Sequence, residues 1–275
     1  MGFQTLPRGN DKGDRPWWLM ALVVLAVGIA VIIAFNDIYS QVFATVSRGI
    51  VITVIVTFTG FALAIALGLL VALAGMADSI FLRQSSRFYI EVVRGIPILV
   101  LLFYIAFVGA PAFVTAYNFV FAPLMADGWI EPLLVRDVSL MWRAIIALTI
   151  GYSAFIAEIF RAGFQSIDEG QIEAAMSLGL SRYQRFRLIV LPQAIKVIFP
   201  PLSNDFVAMV KDSSLVSVLG VADISQAGKI YASGSFRFFE TYSIVAYIYL
   251  ILTIGLSLVL RRLETRMREK GTRNE

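Results

Sequence analysis

The chain has 275 residues, 59% apolar and only 15% charged, with a formal net charge of +4. A water-soluble domain carries about 25% charged residues, so the surplus apolar surface has to face lipid. There is no Cys and no His; disulfides, thiolate metal sites and Cys or His acid–base chemistry are excluded, and no GxxxxGK[ST] run supplies a nucleotide-binding loop.

In chain order, residues 1–16 read as a basic N-terminal tail. Apolar runs then predict six spans at 17–35, 49–76, 89–109, 142–162, 188–210 and 240–260, each near the ~20 residues a crossing needs. The first run is longer than a signal-peptide core and no A-x-A site follows, so it reads as a retained span within residues 17–48. Trp17, Trp18 and Trp142 stand at span edges, as interfacial anchors do.

Six spans put both termini on one side. That side collects 16 of the 23 Lys and Arg: Arg8, Lys12 and Arg15; Arg83, Arg87 and Arg94; Arg161, Arg182, Arg185 and Arg187; and a tail over 261–275 with Arg261, Arg262, Arg266, Arg268, Lys270 and Arg273. The opposite side holds Arg48, Arg136, Arg143, Lys211, Lys229 and Arg237, with Lys196 inside a span. The positive-inside rule makes the first side cytoplasmic.

The second span carries Gly60, Ala64, Gly68 and Ala72. Spacing by four makes one small-residue ridge that admits a neighbouring helix, within the chain or in a dimer. Residues 110–141 are the longest outward loop, and their apolar stretches predict that it lies along the membrane surface. Glu158–Arg161 and Glu91–Arg94 have the i,i+3 spacing of structural bridges.

Between the fourth and fifth spans, Ser166 and Glu169 form an S-x-x-E capping box, which predicts a helix from about Ile167. Acids populate its first turns, and Gly179 fits the left-handed position after its end, with Leu180 folding back in a Schellman stop. Ser181 and Gln184 make a second capping box. The prediction is helix, tight turn, helix. Small side chains at Ala174 and Ala175 suit close docking in a partner's groove; an interfacial hairpin packing on its own protein is the alternative.

The stretch 173–192, EAAMSLGLSRYQRFRLIVLP, places Glu173-Ala174-Ala175, Gly179, Ile189 and Leu191-Pro192 at the spacing of the EAA loop. It resembles the membrane subunits of binding-protein-dependent ABC importers. Tyr89 to Val100, Ala157 to Gly163, Gly170-Gln171, Pro192-Gln193-Ala194 and Lys211 to Leu215 are similar to the polar amino-acid permeases, and the likeness covers most of residues 45–260. The resemblance implies an all-α, type I ABC importer transmembrane fold, with a permease core at 49–260, in a bacterial inner membrane. It implies that Glu173, Ala174, Ala175, Leu178 and Gly179 couple to a cytoplasmic P-loop ATPase dimer: Glu173 as charged anchor, the alanines as contact surface, Gly179 as hinge. ATP is then used by that partner, and no cofactor is bound here. A second identical or homologous permease subunit and an extracytoplasmic solute-binding protein complete the implied assembly; nothing points to nucleic acid.

The fifth span holds Pro200 and Pro201, which remove amide donors and kink a helix, followed by Asn204 and Asp205. Irregular backbone and ionisable groups in a span point to a wet path, so Pro200, Pro201, Asn204 and Asp205 are candidate pathway residues. Asp205 could meet a substrate ammonium or pair with Lys196. Lys211 and Asp212 are placed at the outer end, where snorkelling competes with substrate contact. ATP-driven import of polar or charged amino acids by alternating access is the leading reading. Another small polar solute, or a stand-alone secondary transporter, is the alternative.

Overall fold

The computed structural model describes residues 17–272, except the side chains of residues 18, 19 and 268–272. Arg8, Lys12, Arg15 and Arg273, and the side chains of Trp18, Arg268 and Lys270, lie outside the described residues.

The described chain contains helices and turns and no strand. Helix α1 is Trp17–Phe35 and α2 is Asp37–Val46. Asn36 caps α2, its Oδ1 accepting from the Ile38 and Tyr39 amides, so residues expected as a loop are helical. After a turn at Ser47, α3 runs Gly49–Met76. Among the described residues, five stretches are long and apolar enough to cross a membrane: Asp37–Met76, Ile98–Val120, Leu140–Gln165, Arg182–Leu219 and Phe238–Met267; Met20–Phe35 is a shorter apolar helix.

The expected span 89–109 is divided. Helix α4 is Ile80–Gly95 and α5 begins at Ile98. Pro97 forces extended backbone on Ile96 (φ −102°, ψ 126°), because its ring clashes with a helical predecessor. Helix α5, Ile98–Tyr104, passes through a π turn at Ile105–Gly109 into α6, Ala110–Val120, and α7 is the single turn Ala122–Ala126. The first part of the expected 110–141 loop therefore continues a spanning helix. The remainder is clamped: Asn118 accepts from the Leu133 amide and donates to its carbonyl, both at 2.9 Å.

Helix α8, Leu140–Gln165, is the centre of the fold, and the small ridge of α3 packs against it. Gly60 lies beside Leu148, and Gly68 beside Ile156 and Ser153. Val56, Leu102, Ile145, Leu148, Ile156 and Met209 join these helices to α5 and α11 in one core. The ridge thus serves packing within the chain. Arg143, 8% exposed, donates to the carbonyls of Val138 (2.9 Å), Ala106 (3.0 Å) and Val135.

Next come α9, Glu169–Ser177, and α10, Arg182–Arg185, which a π turn at Phe186–Val190 joins to α11, Leu191–Asp212. Both π turns end two residues before a proline, Pro111 and Pro192; a widened turn draws the carbonyl four residues back away from the ring that would clash with it. Pro200 and Pro201 lie inside α11, which continues through both. A 3₁₀ segment, Ser213–Leu219, then leads to α12, Ile224–Ser235, and α13, Phe238–Thr272. Residues 261–272, expected as a separate tail, belong to α13.

Candidate functional site

The hairpin between α8 and α11 is built by its caps. Asp168 starts α9, accepting from the Gly170 amide at 2.8 Å. This corrects the Ser166–Glu169 capping box: Ser166 ends α8 instead, its hydroxyl donating to the Gly163 carbonyl. Asp wins because it stands one residue before the acidic first turn, where its carboxylate also meets the helix dipole. Gly179 has φ +76°. Its amide reaches Met176 O at 2.9 Å and the Leu180 amide reaches Ala175 O at 3.1 Å, the expected Schellman stop. Ser181 and Gln184 close their box in both directions, at 2.9 and 3.3 Å.

The hairpin's exposed face differs from the expected one. Glu173, Ala174 and Gly179 are exposed, and Leu178 is 81% exposed, but Ala175 is only 2% exposed. Ala175 faces its own chain, so Glu173, Ala174, Met176 and Leu178 form the outward surface. A hydrogen bond links α9 to α11: Gln193 Nε2 donates to Gln171 Oε1 at 2.7 Å. Both glutamines stand in the motif-like stretches of the sequence, yet the pairing needs the three-dimensional turn to become visible.

The candidate pathway residues divide between two faces of α11. Pro200, Asn204 and Lys211 line a cavity of roughly 450 Å³ between α11 and α13, together with Ser203, Ser257, Arg261 and Glu264. Pro201 and Asp205 line a second cavity against α8, with Phe155 and Glu158. Asp205 is half-buried, and no ion pair joins it to Lys196 among the described residues. Asp212 accepts from the Tyr152 hydroxyl at 2.8 Å. Tyr152 stands halfway along the 26 residues of α8, about 18 Å from its first residue at 1.5 Å per residue. Lys211 and Asp212 therefore lie at the depth of the middle of α8, because the 3₁₀ segment adds another length of span beyond them. Sequence reasoning missed Tyr152, Arg261 and Glu264; a hydroxyl-bearing residue in an apolar run was the signal for the first.

Glu158 makes the expected contact with Arg161, at 3.8 Å, and also pairs with Arg94. Arg94 sits over the Phe155 ring, 5.3 Å from its centre. The Glu91–Arg94 bridge does not form, since Arg94 turns across to α8 instead.

Residues 64–269 match the family model described as "Binding-protein-dependent transport system inner membrane component". The chain is 37% identical over 217 residues to the probable amino-acid permease protein YxeN of Bacillus subtilis (strain 168), covering 79% of this chain and 88% of the relative. It is 36% identical over 221 residues to the glutamine transport system permease protein GlnP of Escherichia coli (strain K12), covering 80% and 92%. A crystal structure of an amino acid ABC transporter with histidines superposes with a TM-score of 0.66 at 36% identity, over 83% of this chain and 95% of that one. The inward-facing MetNI methionine ABC transporter, at 19% identity and a TM-score of 0.56, shares the fold. The helical architecture is that of a type I ABC importer permease, and the chain belongs to the binding-protein-dependent transport system inner membrane component family.

Proposed function

We propose that this chain is the transmembrane subunit of an ATP-driven importer of polar amino acids, working by alternating access. The observation that carries the reading is α11. Within an 18-residue apolar stretch of the span Arg182–Leu219 only 11% is buried inside the chain, against 61% for such a stretch of Leu140–Gln165. Yet the exposed residues of α11 include Lys196, Asn204 and Lys211. These are too polar for lipid, so a second identical or homologous subunit covers them and closes a wet path between the two.

The cavity between α11 and α13 suits a zwitterion. Lys211 and Arg261 can receive a carboxylate, Glu264 an ammonium group, and Asn204, Ser203 and Ser257 supply neutral hydrogen bonds. Asp205, on the other face, supplies negative charge toward α8. The names of the relatives support amino acids as cargo.

The α9 hairpin is the docking element for a separate P-loop ATPase, with Glu173, Ala174 and Leu178 as its contact surface and Gly179 as the turn that fixes its shape. Ala175, buried within its own chain, is withdrawn from that surface. The Lys/Arg bias supports a cytoplasmic hairpin and cytoplasmic termini in the inner membrane, with a solute-binding protein on the other side. Different docking energies in the two states of the ATPase pair would bias the spans between inward and outward openings.

The test is uptake into proteoliposomes with and without the ATPase. Uptake that requires the ATPase and hydrolysable ATP, and is lost in Glu173→Ala and Gly179→Pro, is the expected result. Uptake driven by a proton or sodium gradient alone would establish a secondary transporter instead.

A further inference from the structure

We infer that Gln193 is a positioning residue which fixes the α9 hairpin to α11 and so sets how much of a movement at the hairpin reaches the α11–α13 cavity. The inference rests on the docking role proposed for α9.

Among the described residues, the Gln193–Gln171 bond at 2.7 Å is the only side-chain hydrogen bond that leaves α9 for another helix. The same Gln193 Nε2 donates to the Ile189 carbonyl at 3.1 Å. Ile189 belongs to the π turn Phe186–Val190, and Pro192, adjacent to Gln193, has no N–H to give. One amide group thus clips together α9, the widened turn and the start of α11.

The next residue marks a fulcrum. Ala194 is fully buried, and its carbonyl and the Ile198 side chain lie so close over Gly163 of α8 that a Cβ there would collide with Ile198. Beyond this seat α11 is one continuous helix to Asp212. Asn204 lies about 15 Å and Lys211 about 26 Å beyond Ala194 along it, at 1.5 Å per residue. A displacement delivered on the Gln193 side of Gly163 is carried as tilt to both. Without the clip, the π turn is the softest part of the route, since its wide hydrogen-bonded ring is poorly packed, and it would absorb the displacement. The Gln171–Gln193 bond is exposed to solvent, so water competes for it and it can break and re-form between states.

The experiment uses proteoliposomes carrying the chain with the P-loop ATPase and the solute-binding protein it takes up and a mixture of the twenty tritiated amino acids as probe. The quantity read is amino acid transported per ATP hydrolysed. In Gln193→Leu and Gln171→Leu this ratio is expected to fall about 3- to 10-fold, the range one exposed hydrogen bond of this kind commands. The double variant falls no further, because the two side chains form one contact. Gln171→Glu keeps the acceptor for Gln193 Nε2 and stays within about twofold of the parent. ATPase capture by Gln193→Leu stays at the parent level. Should Gln193→Leu fail to fold, Gln171→Leu, at an exposed site, carries the same test. An unchanged ratio in either leucine variant, or losses that multiply in the double variant, overturns the clip while leaving the docking proposal standing. A parent chain that takes up no ATPase, or transports without one, overturns both.

Discussion

The Tyr152 hydroxyl donates to Asp212 Oδ2 at 2.8 Å, tying the midpoint of α8 to the last residue of α11. Tyr152 is 4% exposed and Asp212 half-buried, so this bond is partly shielded from water and holds the carboxylate end of α11 in a fixed rotation about its axis. That rotation directs Lys211, its neighbour, toward α13.

Replacing Tyr152 by Phe removes a hydrogen bond to a charged acceptor, a contact worth about 1.5–3 kcal/mol. The apparent melting temperature in lipid nanodiscs is expected to fall by about 3–12 °C, at roughly 2–4 °C per kcal/mol for a chain of this length. A Tyr152→Phe/Asp212→Asn double variant should lose less than the sum of the single losses. Equal melting of parent and Tyr152→Phe would show that the bond contributes nothing.

Two glycines of the same ridge should respond in opposite ways. A Cβ on Gly60 would meet Met209 Sδ no closer than 3.7 Å, ordinary contact, whereas one on Gly68 would lie 2.8 Å from Ile156 Cγ2 and 2.9 Å from the Ser153 carbonyl. The Ser153 carbonyl belongs to the α8 backbone and cannot step aside. Gly60→Ala is expected to be neutral within about 0.5 kcal/mol, while Gly68→Ala costs about 1–3 kcal/mol through overpacking. Thermal unfolding of the pair in nanodiscs decides it; equal stability would mean that the two helices are free to move apart.

These contrasts mark what the sequence made legible. The ridge Gly60, Ala64, Gly68, Ala72 could be read because four-residue spacing depends only on helix geometry. The Gly179 turn and the Ser181–Gln184 box were legible because caps are local, within four residues. Ser166 misled because two acceptors, Ser166 and Asp168, compete for one helix start, and the choice depends on where α8 ends. Ala175 misled because which face of a short hairpin turns inward is set by the rest of the protein. The depth of Lys211 and Asp212 was illegible because hydropathy marks the end of an apolar run, and the 3₁₀ segment Ser213–Leu219 continues the crossing beyond it. Gln171 and Gln193 meet across 22 residues, a distance that no local rule spans.

Arg143 anchors the loop after α7. Its guanidinium has carbonyl partners in the loop at Val135 and Val138 and in the π turn at Ala106. Lys in its place would keep the charge but not the planar fork, so it cannot hold three separated carbonyls at once. Arg143→Lys is expected to free residues 127–138, read as at least tenfold faster proteolytic cutting there, with cutting elsewhere unchanged. Parent-like protection of that loop would show that the Asn118–Leu133 clamp suffices by itself.

Asp223, between the fourth and fifth spanning stretches, gives the chain a pH signature. It is fully buried, its carboxylate accepting from the Gln226 and Ser225 amides and from the Tyr249 hydroxyl at 2.8, 3.1 and 3.1 Å. Burial pushes its carboxyl above the ordinary carboxylate value, and those hydrogen bonds offset only part of the rise. A carboxyl raised on folding binds its proton more tightly in the folded state, so stability falls as pH climbs from the ordinary value through the raised one, and levels off above it. Asp223→Asn keeps a cap for α12 but cannot ionise. The difference in melting temperature between the two proteins, which cancels the titration of all other groups, should therefore change with pH in that window: the parent loses stability relative to Asp223→Asn as the medium becomes less acid. Melting curves of both in nanodiscs between pH 4 and pH 8 measure it, and a difference that stays constant across the range would mean that Asp223 titrates in the folded protein as it does in the unfolded chain.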